Sequence, residues 1–259
     1  RAGMTMFGIA ASVALLVGTL FAFDSVDVML DTRFNRTDAY DAAVNFVEPQ
    51  GTDALLELGR LPGVLEVEGN RDIYVRLRHG SYDERAVIIG LQPDGHQKQL
   101  LDADGQIVPV PEQGLALSSQ MASMISAGRG DRVTVEVLEG RRPVVDVPVT
   151  AIVAEDIGAF AYMDIGQVNR LLGERPTVTG AFLAIDPDRK MAFSEEVLAR
   201  PRIASVSLQG PAIAAFETTL EETIYIMMAI YALIGGSIAA GVVYNAARIA
   251  IMERGRGLA

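Results

Sequence analysis

Two stretches without a charged side chain, Met4 to Phe23 and Ile224 to Tyr244, stand at opposite ends of a 259-residue chain and bracket an acidic middle. Each is about 20 residues, which as a helix rising ~1.5 Å per residue spans the ~30 Å hydrocarbon layer of a bilayer. The layout predicts transmembrane helices over 1–23 and 224–247 around a large extramembrane domain. The flanks set its orientation. Arg1 precedes the first stretch and Asp24 and Asp27 follow it, whereas Glu217, Glu221 and Glu222 precede the second and Arg248, Arg254 and Arg256 follow it. Basic residues collect on the cytoplasmic side of membrane spans, so both termini are expected in the cytoplasm and the middle outside. A cleaved signal peptide is the competing reading of the first stretch. That run exceeds the ~7–15 apolar residues of a signal core, and Phe21-Ala22-Phe23-Asp24 is a poor small-residue cleavage site. A chain starting at Arg1 and stopping just past a span is expected to be a piece of a longer protein, with 248–259 opening a cytoplasmic segment.

Charge narrows the partners. The two ends hold four Arg and Glu253, leaving 18 basic and 32 acidic residues between them, a charge of about −14. Such a domain repels phosphate backbones and anionic head groups, so no nucleic-acid partner is expected. There is no cysteine, which removes disulfides, c-type haem and thiolate metal sites together. A domain of this size buries enough apolar surface without such staples.

The middle is organised by a repeat. Ala43 to Val47, Glu48-Pro49, a helix at about 52–60 and Leu61-Pro62-Gly63-Val64 form one copy. Ala181 to Ile185, Asp186-Pro187, a helix at about 189–199 and Pro201-Arg202-Ile203 leading to Leu208 form the other. In both, an acid-Pro pair closes a strand and a second proline bars the helix from running into the next strand. Two split βαβ units of this kind predict an α+β lobe over 42–100 and 173–211, with helices on one face of a sheet. Between the copies, 101–172 reads as an inserted β-rich lobe. Its parts are a strand at Leu115 to Leu117, a helix from Ser119 capped by Ser118, a hairpin turning at Glu139-Gly140, and a closing helix from Ile165 to Leu172. A further hairpin turns at His79-Gly80-Ser81. Amphipathic stalks are expected over 24–41, where Leu30 and Phe34 recur at helical spacing, and over 212–223, with Ile213, Phe216 and Leu220.

No catalytic constellation stands out. His79 and His96 lack a third Cys or His ligand, no G-x-S-x-G elbow or paired-carboxylate motif is present, and no G-x-x-x-x-G-K-(S/T) loop binds ATP. The chain is expected to be no enzyme and to bind no metal or cofactor itself. The Arg129-Gly130-Asp131 triplet falls at a helix end before a strand, where turn chemistry explains it. The second span is more informative, since Ala232, Gly236 and Ala240 repeat every four residues and Gly241 follows. Small residues at this interval let membrane helices approach closely, which predicts packing against further spans.

The run Gly241-Val242-Val243-Tyr244-Asn245-Ala246-Ala247-Arg248 through Glu253-Arg254-Gly255-Arg256-Gly257-Leu258-Ala259 resembles the end of a span in FtsX/MacB-type ABC transporter permeases. There a Tyr-Asn pair and an Arg end the span, and Glu-Arg-x-Arg-Glu-Leu-Ala leads on to a Leu-Arg-x-Leu-Gly stretch. Gly257 stands where that family usually has Glu. Leu61-Pro62-Gly63-Val64, Gly114 to Ser118, Gly130-Asp131-Arg132-Val133 and Ala161-Tyr162-Met163 are similar to its extracytoplasmic domain. The resemblance implies a permease subunit in a bacterial inner membrane, with a porter-like α+β lobe and an inserted β-rich lobe in the periplasm. It also implies a separate cytoplasmic ABC ATPase whose use of ATP moves the external domain. Arg248, Glu253, Arg254 and Arg256 would then face that ATPase, and the other partners would be further spans of the same permease, a second permease copy, and a periplasmic protein or lipoprotein. Two readings from other classes stay open: the ligand-sensing domain of a two-span signalling receptor, and an anchored binding module. A receptor would continue beyond Arg256 into a signalling coiled coil, a permease into more hydrophobic spans.

Overall fold

The computed structural model describes residues 37–155 and 158–209, and helical residues 226, 227, 229–231, 233–237, 240, 241, 243 and 244. Residues 32–210 form one compact unit and the flanks another, and each is taken by itself. The body is built from β1 (Ala42–Gly51), α1 (Asp53–Leu58), β2 (Val64–His79), β3 (Tyr82–Leu91), β4 (Leu100–Leu101), β5 (Ile107–Val108) and β6 (Leu115–Ser118). It continues through α2 (Ser119–Met124), β7 (Arg132–Val137), β8 (Val144–Val153), β9 (Phe160–Asp164), α3 (Ile165–Leu172), β10 (Thr177–Ile185), α4 (Lys190–Leu198) and β11 (Ile203–Leu208).

The repeat read from the sequence organises the first half. Strand order β11-β1-β10-β2 interleaves the two units, so that each βαβ is split by a strand of the other. Glu48 and Asp186 lie 138 positions apart, and this shift carries the β1–β11 pairs Ala42↔Leu208 and Asn45↔Ser205 onto the β10–β2 pairs Gly180↔Asn70 and Leu183↔Val67. The internal symmetry therefore holds at the level of hydrogen-bond register. Leu58 and Leu61 from one unit and Phe193 and Val197 from the other cover the same sheet face, over Ala42, Val44, Ala181, Leu183 and Ile185.

The second half closes on itself. β2 pairs with β3, β3 with β9, β9 with β6, β6 with β8, β8 with β7, and β7 again with β2. A ring of six strands leaves no open edge, and alternate side chains must fill its interior. Ile73, Val75 and Leu77 of β2, Leu115 and Leu117 of β6, and Val133, Val135 and Val137 of β7 are all at 0% exposure, whereas Tyr74 between the first two is 65% exposed. α2 adds Met121 and α3 adds Val168 and Leu172 to this interior. Both helices start where their side chains dictate: Ser118 Oγ accepts from Met121 N at 3.2 Å and Asp164 Oδ1 from Gln167 N at 2.8 Å. α3 lies so close to β3 that a Cβ on Gly90 would stand 3.2 Å from Ile165 Cα and 2.9 Å from the Arg71 carbonyl.

One boundary differs from the sequence reading. The β2–β3 hairpin, grouped there with the α+β lobe over 42–100, joins the ring, because β2 exchanges β10 for β3 between Asn70 and Arg71. The strand runs sixteen residues without a break, so no turn signal marks the change.

In the flanking unit, Ser237 Oγ donates to the Leu233 carbonyl at 2.7 Å within the helix. Among the described residues no helix is long and apolar enough to cross a membrane. The first stretch, 1–23, lies outside the described residues, as do most of the 24–41 stalk and the whole of the 212–223 stalk.

Leu77→Ala is expected to lower stability by about 2–5 kcal/mol, as for other large-to-small core changes. Tyr74→Ala, one pleat away, should lose less than about 1 kcal/mol. Urea titration of the full chain followed by circular dichroism measures both, and equal losses would contradict an apolar ring interior.

Candidate functional site

The chain enters and leaves the body at one place. Asp41 N donates to the Leu183 carbonyl at 2.8 Å, and Gln209, the last described residue of the body, donates from its backbone to the Asp41 carbonyl at 2.9 Å. The Gln209 side chain reaches the Asp38 carbonyl at 2.7 Å. On the other side, Ala39 N donates to the Gln97 carbonyl and Gln99 N to the Thr37 carbonyl, both at 2.8 Å. The entry segment 37–41 is thus held between the exit residue and the loop 95–99.

Charge fixes the same point. The chain has 22 basic residues but two lysines, Lys98 and Lys190. Lys98 Nζ donates to Asp38 Oδ1 at 2.5 Å with both side chains 7% exposed, and Lys190 Nζ donates to Asp41 Oδ1 at 2.8 Å. Asp41 Oδ2 also accepts from Ile185 N at 2.8 Å, which ties the entry segment to β10 as well as to α4. Lys98 stands 5.9 Å from the ring centroid of Tyr162, whose hydroxyl donates to Glu155 Oε2. Tyr40 stacks on Phe182 with centroids 4.7 Å apart. The loop itself is anchored on β2: Glu68 accepts from His96 N at 2.5 Å and Gln97 N at 3.0 Å, and Glu66 from the Gln97 amide at 2.8 Å.

A second ionic group sits where β2 changes partners. The Arg71 guanidinium, 2% exposed, lies 3.1 Å from Glu174 and 3.3 Å from Glu139, while its Nε has no hydrogen-bond partner among the described residues. Burial raises the Asp72 carboxyl above its ordinary range, against the opposing hydrogen bond from Asn70 and the charges of Lys98 and Arg71. Burial also raises Glu139, opposed by Arg71 and reinforced by the negative charges of Glu174 and Asp72. These carboxyls hold protons more tightly folded than unfolded. Their contribution to stability is therefore complete at low pH and is lost as pH rises through the folded values.

The sequence-predicted sites fall differently. Gly236, Ala240 and Gly241 are helical and exposed, and nothing stands within 4 Å of a Cβ placed on either glycine. Ala232, Leu30, Phe34, Ile213, Phe216, Leu220, Arg248, Glu253, Arg254 and Arg256 lie outside the described residues. Sequence reasoning missed the clamp, whose partners are 60 residues apart for Asp38 and Lys98 and 149 for Asp41 and Lys190. Asp131 of the Arg-Gly-Asp triplet accepts from Gly128 N at 2.8 Å and lies 3.9 Å from His79, a turn role as expected.

No family model and no curated protein matches the chain. Among solved structures it is similar to the extracellular domain of a noncanonic ABC-type transporter, YknZ, from Gram-positive bacteria. The identity is 13% and the TM-score 0.45, over 65% of this chain and 98% of that one. It is also similar to the periplasmic region of MacB from Actinobacillus actinomycetemcomitans, at 12% identity and a TM-score of 0.48, over 70% and 94%. At these values the likeness by itself assigns no function.

Lys98→Met, which removes the ammonium 2.5 Å from a buried carboxylate, is expected to cost up to about 3–5 kcal/mol, and Lys98→Met/Asp38→Asn to recover much of that. Simple additivity of the two changes in urea titrations would contradict a buried pair. Asp72→Asn should gain on the parent protein as pH rises from about 4 to 7, because the variant loses the penalty of a buried charge. A stability difference flat across that range would contradict the raised carboxyl.

Proposed function

We propose that this chain is part of an ABC transporter permease, and that its body is an extracytoplasmic domain moved by a separate cytoplasmic ATPase. The observation that carries the reading is the joining of the body's two ends at Asp38, Asp41 and Gln209, next to flanks that each contain about 20 uncharged residues. A domain tethered at one hydrogen-bonded point can be displaced by its flanks without separating its own strands. One-point tethering alone also suits a sensor. The Tyr244-Asn245 to Ala259 run, with its likeness to FtsX/MacB-type permeases, favours transport, and the neighbouring structures come from transporters of that class.

In this account residues 1–23 and 224–247 are membrane helices, and Ala232, Gly236, Ala240 and Gly241 form a close-packing face toward further spans of the permease or a second copy. Arg248, Glu253, Arg254 and Arg256 meet the ATPase through charge-assisted hydrogen bonds, and Leu30, Phe34, Ile213, Phe216 and Leu220 line stalks that carry the displacement outward. ATP hydrolysis is the partner's chemistry, and the body handles a lipid, lipoprotein, peptide or partner protein outside the membrane.

The full-length protein is expected to copurify with an ABC ATPase whose vanadate-sensitive activity it alters. Arg254→Glu/Arg256→Glu should abolish that effect at unchanged expression. Copurification with no ATPase, or coupling indifferent to both charge reversals, would contradict the proposal.

A further inference from the structure

A groove of about 1300 Å³ runs between the β4–β5 hairpin, with the segment that follows it, and residues 150–154 of β8 and its end. This exceeds the ~300–1,000 Å³ of common small-molecule pockets and suits a length of polymer. Its lining includes Ile107, Val110 and Ile152, with Ile107 63% exposed. Pro109 and Pro111 stiffen one wall and remove two backbone N–H groups from it, which shifts its polar character toward acceptors. Asp94, Asp104 and Glu112 line the same groove as exposed carboxylates that form no ion pair among the described residues. Arg129 is the one basic residue among the described lining residues.

We infer that this groove binds an extended cationic polypeptide segment, with apolar side chains against Ile107, Val110 and Ile152 and lysine or arginine side chains toward Asp94, Asp104 and Glu112. The charge complementarity is specific in sign. A surface of this kind repels anionic head groups and nucleic acid, and its apolar wall adds what a bare polyamine does not use. Acceptors on a proline-stiffened wall match the N–H donors of a cationic chain. The inference does not rest on the transport reading, since occupancy requires neither ATP nor an ATPase.

The test is fluorescence anisotropy of a labelled octapeptide alternating lysine with valine or leucine, titrated with the full chain in detergent. Saturable binding is expected. It should weaken about tenfold in Asp94→Asn/Asp104→Asn/Glu112→Gln, and also with added salt. Ile107→Ser should weaken it several-fold. Glu57→Gln/Glu195→Gln/Glu196→Gln, the same change in net charge on exposed residues of α1 and α4, should leave it unchanged. The inference is overturned if no binding occurs, if both triple variants weaken it equally, if Ile107→Ser is silent, or if a glutamate version of the peptide binds as well. Displacement by spermidine at the peptide's own concentration would also overturn it, by showing a site for polycations in general.

Discussion

The body depends on a single strand that is hydrogen-bonded into both of its halves. β2 completes the α+β sheet beside β10 up to Asn70 and the six-stranded ring beside β3 from Arg71 and beside β7 from Val75. The halves are therefore joined through a continuous backbone and its ladders with β10, β3 and β7, and a shared apolar cluster packs Phe182 and Ala43 of the sheet and Tyr40 of the entry segment against Leu91, Ala116, Val153 and Tyr162 of the ring. Arg71, buried at the changeover between Glu139 of the ring and Glu174 of the segment leading to β10, places opposite charge across the seam. Its carboxylate partners are partly solvated, so the group fixes geometry more than it adds net stability.

That continuity gives the terminal clamp its meaning. In the proposed permease a force on either flank would reach Asp38, Asp41 or Gln209, and from there β10 and α4 through Asp41, and β2 through Lys98 and the loop held by Glu66 and Glu68. Because β2 belongs to both halves, such a load would be carried into the sheet and the ring together. In the proposed permease this lets the body move as one piece, with the groove under the β4–β5 hairpin carried along.

Local signals in the sequence were sufficient for much of this. Asp186-Pro187 closes β10 as read, whereas β1 runs on through Glu48-Pro49 to Gly51 and the proline sits at a register shift between Asn45 and Gln50, a bulge rather than the strand end the sequence suggested; the structure extends the repeat to matching strand registers. Ser118 and the Ile165–Leu172 pattern located their helices because a cap and an apolar period act within a few residues. Closure of the ring was not legible, since β3 against β9 and β6 against β8 are parallel pairings between segments far apart in the chain. The clamp was missed for the same reason: Asp38 and Lys98 are sixty residues apart, and nothing local distinguishes a paired lysine from a solvated one. The stalk residues Leu30, Phe34, Ile213, Phe216 and Leu220 rest on periodicity alone.

The most direct test is topological, and these 259 residues contribute no cysteine of their own to the labelling. Single cysteines at Ser81, on the β2–β3 turn, and at Arg256 would be challenged in intact cells with a membrane-impermeant maleimide. The account predicts labelling of Ser81→Cys at once and of Arg256→Cys only after permeabilisation. Labelling of the Arg256 position from outside, or protection of the Ser81 position, would contradict it.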